Sequence, residues 1–455
     1  MQYTLTELQQ WNEVIETLVA KEGLNVYEQM FEIIDYKDML DYEAYTGMPS
    51  RYPHWSYGKA YEKNRTLYQY NLTGLPYEMV INSDPCLAYL MKENSLLLQI
   101  LTIAHVYGHN DFFKNNRLFK QGTDAKATIE VFKRNADMVR SYVNDPSIGY
   151  KNIETLLDAV HSVRFQVARV IGDKRISDEE LKQQLMSEYK DSFVHNNPLK
   201  PYIKQEPPDL SRIPLNHEDD LLYFITKHGD MEDWERNIVD IVRREALYFI
   251  PQIETKIMNE GWASYWHYNI LKELELSQEL YLEFIKRHND VIAPIPMIIN
   301  PYYLGFKIFQ DIEARYGRKV LFEVRALERD ESFIRRYLTQ ELCEEMHLYD
   351  FINKGDDYIV EDVADEKGWA NIRNVLCNTC GMNNIPNIRV VEMQRQDKTL
   401  ILEHIFDGRE LQSAYTEATL KYIYDMWKHP IKLLTIVNGK STQIICDNDK
   451  NIRIS

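Results

Sequence analysis

IAHVYGHNDFFKNN, residues 103–116, is the stretch on which the reading of this chain turns. Apolar residues lead into it at three- and four-residue spacing from Leu87 to Val106, which predicts a helix. A helix carries positions i and i+4 on one face, so His105 and His109 stand one turn apart and point the same way. Two imidazoles so placed can share a metal ion. The same spacing also suits two partly buried histidines bonded to their neighbours.

A second segment, ETKIMNEGWASYWHYNILKELE at residues 254–275, is also helical in pattern. Gly261 inside it costs about 1 kcal/mol relative to alanine, and such a glycine marks the close approach of another element. Glu260 and His267 lie two turns apart on one face, roughly 10.5 Å by helical rise. That suits Glu260 as a metal ligand and His267 as a catalytic group that orients or protonates a substrate. His105, His109 and Glu260 together would leave a tetrahedral zinc one open position. Zinc held there would make water acidic enough to supply hydroxide near neutral pH. Tyr107, Asn110, Trp262 and Tyr265 are the accompanying candidates for substrate binding.

The order HxxxH, then a distant helix with Glu followed by Gly-Trp-Ala, resembles zinc peptidases of the gluzincin kind, with a zincin-like helical core. Those enzymes carry a general-base Glu directly after the first His, where this chain has Val106. General-base catalysis contributes about 10² to 10⁴-fold, so another group has to serve. Asp111, Glu245 and Glu254 are the nearby candidates in sequence. The competing reading is a non-catalytic adaptor whose polar aromatic segments form a buried hydrogen-bond network between helices.

Outward from these segments, residues 1–195 read as a mainly helical domain. Helical spacing recurs at Leu8–Leu18, Ala127–Val143 and Ile153–Ile171, and an ordered loop with a short helix is expected over Tyr42–Leu75. Residues 196–216 are proline-rich and read as an irregular connection. Helices resume over 217–325 and are expected to pack on the first domain. From 326 to 455, helices alternate with β-branched runs at Tyr358–Val363, Ile388–Met393, Thr399–Ile405, Ile431–Val437 and Thr442–Cys446. That pattern predicts a smaller α+β domain with an antiparallel sheet.

Composition narrows the function. With 53 basic and 70 acidic residues the formal charge is −17, which disfavours nucleic acid and anionic lipid as partners. No apolar run approaches the roughly 18 residues of a membrane span. The N-terminal segment reads as an amphipathic helix capped near Thr6, with no signal-peptide layout, so a soluble intracellular protein is expected. The five cysteines do not suggest a disulfide framework. Cys377 and Cys380 form one CxxC with no second pair to complete a zinc site, and read as two thiols near a helix end. Glu344 and His347 form one ExxH where a di-iron bundle needs two. GxxxxGK[ST], GxGxxG after a strand and GxSxG do not occur.

Several longer stretches carry a family likeness: YPHWSYGKAYE (52–62), LPYEMVINSDPCLAYLMKEN (75–94), IAHVYGHNDFFKNN (103–116), YFIPQIETKIMNEGWASYWH (248–267) and NPYYLGFKIFQDIE (300–313). In content and order they resemble the stage V sporulation protein R family. The resemblance implies a cytoplasmic protein of the mother cell, needed for the spore cortex, with a wider stress role in relatives from non-sporulating bacteria. It also implies sporulation or stress-response partners, including a serine kinase and its companion protein. It implies no particular reaction.

Overall fold

Ser95 starts the helix that carries HxxxH: its hydroxyl accepts a hydrogen bond from the Leu98 N–H at 3.2 Å, and the helix runs Leu96–Asn115. Every residue from Leu97 to Phe113 is buried. A helix covered on all sides sits inside a core, and its polar side chains must find partners there. This HxxxH helix is the axis on which the candidate site is built.

Beside it lies the helix Lys256–Glu273, which carries Glu260. Thr255 gives its N-terminus no side-chain cap. The buried carboxylate of Asp330 serves instead, accepting from the N–H groups of Ile257 and Met258 at 2.9 Å each. Two glycines allow the neighbouring backbones to close in. A Cβ added at Gly108 would stand 2.6 Å from Ala263 Cα, and one at Gly261 would stand 2.4 Å from Gly305 C and Cα. Gly305 belongs to the helix Pro301–Tyr316, which Asn300 caps by accepting from the Tyr302 N–H at 3.0 Å. The glycine inside the second motif does mark close approach, as its sequence position suggested.

This is a computed structural model, and it describes residues 3–70, 76–172, 174–194, 207–294, 298–354 and 357–455. The chain forms two units, Met1–Ser141 with Tyr248–Asn384, and Tyr142–Leu247 with Ile385–Ser455. The first holds the three helices above and a three-stranded sheet: β1 (Gln29–Ile34), β2 (Glu78–Ile81) and β3 (Cys86–Met91), in the order β1-β3-β2. β3 pairs parallel to β1 and antiparallel to β2, with Glu78 opposite Leu90. Four residues after β3 the chain enters the HxxxH helix, so sheet and helix are set by one short connection. A two-stranded hairpin, β4 (Tyr349–Lys354) and β5 (Asp357–Val363), also belongs to this unit.

The second unit carries a five-stranded sheet: β6 (Ile388–Met393), β7 (Leu400–His404), β8 (Ile431–Val437), β9 (Lys440–Cys446) and β10 (Ile452–Ile454). The order is β10-β9-β8-β7-β6, antiparallel throughout except β7 with β8. That parallel pair is joined through the helix Ser413–Trp427, as a crossover requires. The β8–β9 turn is Asn438-Gly439, with φ of 51° and 71°, the left-handed pair that tight hairpins favour. The chain is thus mainly helical in its N-terminal body and carries a mostly antiparallel sheet towards its C-terminus.

Several sequence expectations are revised. Cys86–Met91 is a strand, where Leu87 onward read as helix, because a short buried apolar run carries no decisive period. The segment after Tyr42 contains a full helix, Trp55–Gln69, and not a short one. The N-cap of the first helix is Thr4, accepting from the Glu7 N–H at 3.1 Å, and not Thr6. Residues 326–384 group with the first unit and not with the C-terminal sheet. Their helices reach its core, where Asp330 caps the Glu260 helix and Phe333 packs on Phe309 at 4.8 Å. Most of the proline-rich connection, 196–206, lies outside the described residues. Among the described residues no helix is long and apolar enough to cross a membrane.

Candidate metal centre

The helix packing brings His105, His109 and Glu260 to one place. Glu260 Oε2 lies 3.5 Å from His109 Nε2 and 3.8 Å from His105 Nε2. Glu78 on β2 also brings Oε1 to 3.8 Å from His105 Nε2. Donor atoms of Glu78, His105 and His109 all fall within 4.8 Å of one another. The separations about Glu260 are too long for hydrogen bonds. They are close to the roughly 3.3 Å edge of a tetrahedron whose bonds are about 2.0 Å, the zinc–nitrogen length. His105 Nε2 and Glu260 Oε2 are buried and have no hydrogen-bond partner among the described residues. Buried polar atoms are normally satisfied, so two orphans facing each other fit a cation between them.

The far side of each ring supports that fit. His109 Nδ1 is 2.9 Å from Asn259 Oδ1, an amide oxygen that can only accept. The proton therefore sits on Nδ1, leaving the Nε2 lone pair turned to Glu260, the orientation a metal ligand needs. His105 Nδ1 is 2.9 Å from His267 Nδ1. Burial, helped by the nearby His105 ring, pushes the His109 pKa down to about 4, so the ring is neutral at physiological pH. Burial and three neighbouring imidazoles hold His267 well below its ordinary value.

The two carboxyls are driven in opposite directions. Burial, together with the Glu260 charge, raises Glu78 above the usual carboxylate range despite His105. Burial also acts to raise Glu260, but the His105 and His109 imidazoles and Lys256 outweigh it and hold Glu260 below that range. Paired acids with divergent environments take divergent roles: Glu260 suits an ionised ligand, and Glu78 a group that gains and loses a proton. Beside them the Tyr302 ring stacks on His105 with centroids 6.0 Å apart. The Glu260 charge and burial raise its phenol well above the ordinary value, keeping it an O–H donor.

Of the sequence candidates, His105, His109, Glu260 and His267 meet here. The four proposed substrate contacts do not, because they lie on other faces of the same helices. Asn110 docks the start of β1, accepting from the Tyr27 N–H at 2.7 Å and donating to the Tyr27 carbonyl at 3.1 Å. Tyr107 is buried and donates to Asn12 Oδ1 at 3.0 Å. Trp262 is fully buried, donates to Asp111 Oδ2 at 2.9 Å and packs on Phe309 and Phe322. Tyr265 stacks on Trp262 in the same core.

Two of the suggested bases are engaged elsewhere in the first unit. Asp111 is locked by the Asn25 N–H, Trp262 and Arg325. Glu254 accepts from Arg329 and the Met382 N–H, and Glu245 belongs to the second unit. Sequence reasoning missed Glu78, Tyr302, Asn259 and His288. Glu78 and Tyr302 lie inside two of the distinctive stretches, but no helical spacing links a strand residue to HxxxH. Cys377 and Cys380 end the helix Gly368–Thr379, where Cys377 donates to the Glu331 carbonyl at 3.5 Å. Among the described residues the cysteines join no metal-binding group.

Comparison with known proteins agrees with the layout. A family profile described as SpoVR like protein matches residues 2–385, and one described as SpoVR-like C-terminal domain matches residues 386–438. The border between them falls at the turn from the first unit to the C-terminal sheet. The chain is 34% identical over 454 residues to "Uncharacterized protein YcgB" of Escherichia coli (strain K12), covering 90% of this chain and 88% of that relative. No solved structure matches it. With two profiles placed in order along the chain and one relative matched nearly end to end, the protein belongs to the SpoVR family.

Proposed function

We propose that this protein is a metal-dependent hydrolase of the sporulation programme, acting on a peptide or peptidoglycan-related substrate. In this reading His105, His109 and Glu260 hold zinc and Glu78 takes the part of the missing glutamate after His105. The observation that carries it is the pair of orphaned buried atoms, His105 Nε2 and Glu260 Oε2, facing each other beside His109 Nε2. Zinc supplies Lewis acidity at such a site. Glu78, with a raised pKa and a carboxylate 3.8 Å from His105, accepts the proton of the attacking water and returns it to the leaving group. Tyr302 offers an O–H to developing negative charge on the substrate. The Glu78 and Glu260 side chains retain 16% and 18% exposure, more than the 4% of His105. Sporulation or stress-response partners, among them a serine kinase, belong to the same proposal through the family.

The reading makes the two glutamates separable. Glu78→Gln is expected to retain zinc while losing about 10² to 10⁴-fold of hydrolysis of a cell-wall peptide library. Glu260→Gln is expected to lose the zinc itself. Loss of zinc in Glu78→Gln, with zinc retained and turnover lost in Glu260→Gln, would assign the roles the other way, and undiminished turnover in a metal-free Glu78→Gln protein would defeat the proposal.

A further inference from the structure

Three imidazoles form a line that leads away from the site. His105, His267 and His288 come from three helices, the HxxxH helix, the Glu260 helix and Gln278–Val291. His105 Nδ1 is 2.9 Å from His267 Nδ1, and His267 Nε2 is 2.8 Å from His288 Nδ1. All three side chains are buried. The rings of Tyr268, Phe284 and Phe306 enclose His288 at 4.6, 6.2 and 5.0 Å between centroids.

Each nitrogen–nitrogen contact needs one proton and one lone pair, and a neutral imidazole has one of each. Fixing the proton on any ring therefore fixes it on the other two. Only two arrangements satisfy both contacts. In one, His105 donates from Nδ1, and His267 and His288 carry their protons on Nε2. In the other, His105 carries its proton on Nε2, and His267 and His288 carry theirs on Nδ1. A cation at His105 Nε2 permits only the first.

We propose that His267 and His288 are positioning residues that hold His105 in the Nδ1–H form, so that cation binding at His105 Nε2 and a proton on His288 Nε2 go together. Passing from the second arrangement to the first removes a proton at His105 Nε2 and adds one at His288 Nε2. Two short transfers inside the chain conserve the rest. This assigns His267 to the support of a ligand and not to contact with a substrate. It rests on the metal reading for its direction alone, since the pairing of tautomers follows from the two contacts.

The test is nitrogen-15 histidine spectroscopy of the full chain, with and without zinc, with rings assigned through single variants. With zinc, His267 and His288 are both expected as Nε2–H tautomers. Without zinc, both must still carry protons on like-named nitrogens. Unlike tautomers in either state would overturn the chain. His267→Phe is expected to weaken zinc binding about 10 to 100-fold. His267→Asn, whose amide oxygen can still accept from His105 Nδ1, should restore most of it. A folded Phe variant that binds zinc like the wild type would overturn the positioning role; if it does not fold, the wild-type spectra decide. A wild type that takes up no zinc defeats the metal reading, while matched tautomers in the zinc-free protein still uphold the chain.

Discussion

Replacing Gly261 by alanine tests how the site is assembled, because helix propensity and packing predict opposite signs. In an exposed helix the change would stabilise by about 1 kcal/mol. Here the new Cβ would stand 2.4 Å from Gly305 C and Cα and 2.9 Å from Phe306 N. All three are backbone atoms, so no side-chain rotation relieves the contact. Restoring ordinary contact at 3.4 Å moves the two helices apart by 1.0 Å, the difference between 3.4 and 2.4. Overpacking of this kind costs about 1–3 kcal/mol; with no escape the upper figure applies, and after the propensity gain about 2 kcal/mol of net destabilisation remains. Glu260 directly precedes the glycine, and zinc bonds tolerate only about 0.2 Å, so affinity should fall with stability. Urea denaturation and a zinc titration measure both. Gly58 is the control: it lies within the helix Trp55–Gln69 with no described residue within 4 Å of an added Cβ, so Gly58→Ala should stabilise. A Gly261→Ala protein as stable as the wild type, with unaltered zinc affinity, would refute the reasoning.

Other perturbations separate scaffold from site. Asp111→Ala leaves Arg325, buried 3.2 Å away, without its charge partner; a loss of about 3–5 kcal/mol is expected in urea denaturation, and an unchanged midpoint would contradict the network. In the zinc-free protein, burial holds His288 near 4 and His267 well below 6.5. An unfolded imidazole titrates near 6.5, so the unfolded chain binds more protons below that pH. Stability should therefore fall as the pH drops from about 6.5 towards 4, by about 1.4 kcal/mol per pH unit for each ring in that window; a flat urea midpoint between about pH 7 and 5 would contradict it. Trp262→Phe is expected to destabilise the fold by about 1–3 kcal/mol through the lost Asp111 bond and lost volume, and a variant of unchanged stability with altered substrate affinity would return Trp262 to the site.

The sequence revealed the parts of the site that share a helical period. His105 with His109, and Glu260 with His267, are readable because one turn or two of helix fixes their faces. Gly261 announced a close neighbour correctly, although only coordinates identify it as Gly305. Glu78 was illegible for a physical reason: it is a strand residue placed by pairing with β3, and such register depends on contacts distant in sequence. The polar aromatic residues misled in the opposite way. Tyr107, Asn110, Trp262 and Tyr265 look like a ligand surface when read as composition. In the fold their polar ends satisfy Asn12, Tyr27 and Asp111, or are packed into the core. The same holds for residues 326–346, where helix periodicity was visible but the unit they join was decided by Asp330 and Phe333.

The central claim is that these two helices make a cation site, and metal stoichiometry after equilibration with zinc and desalting tests it most directly. About one zinc per chain is predicted for the wild type, and none for a folded His105→Ala/His109→Ala protein. A wild type that emerges metal-free, or a double variant that keeps its zinc, would contradict the account.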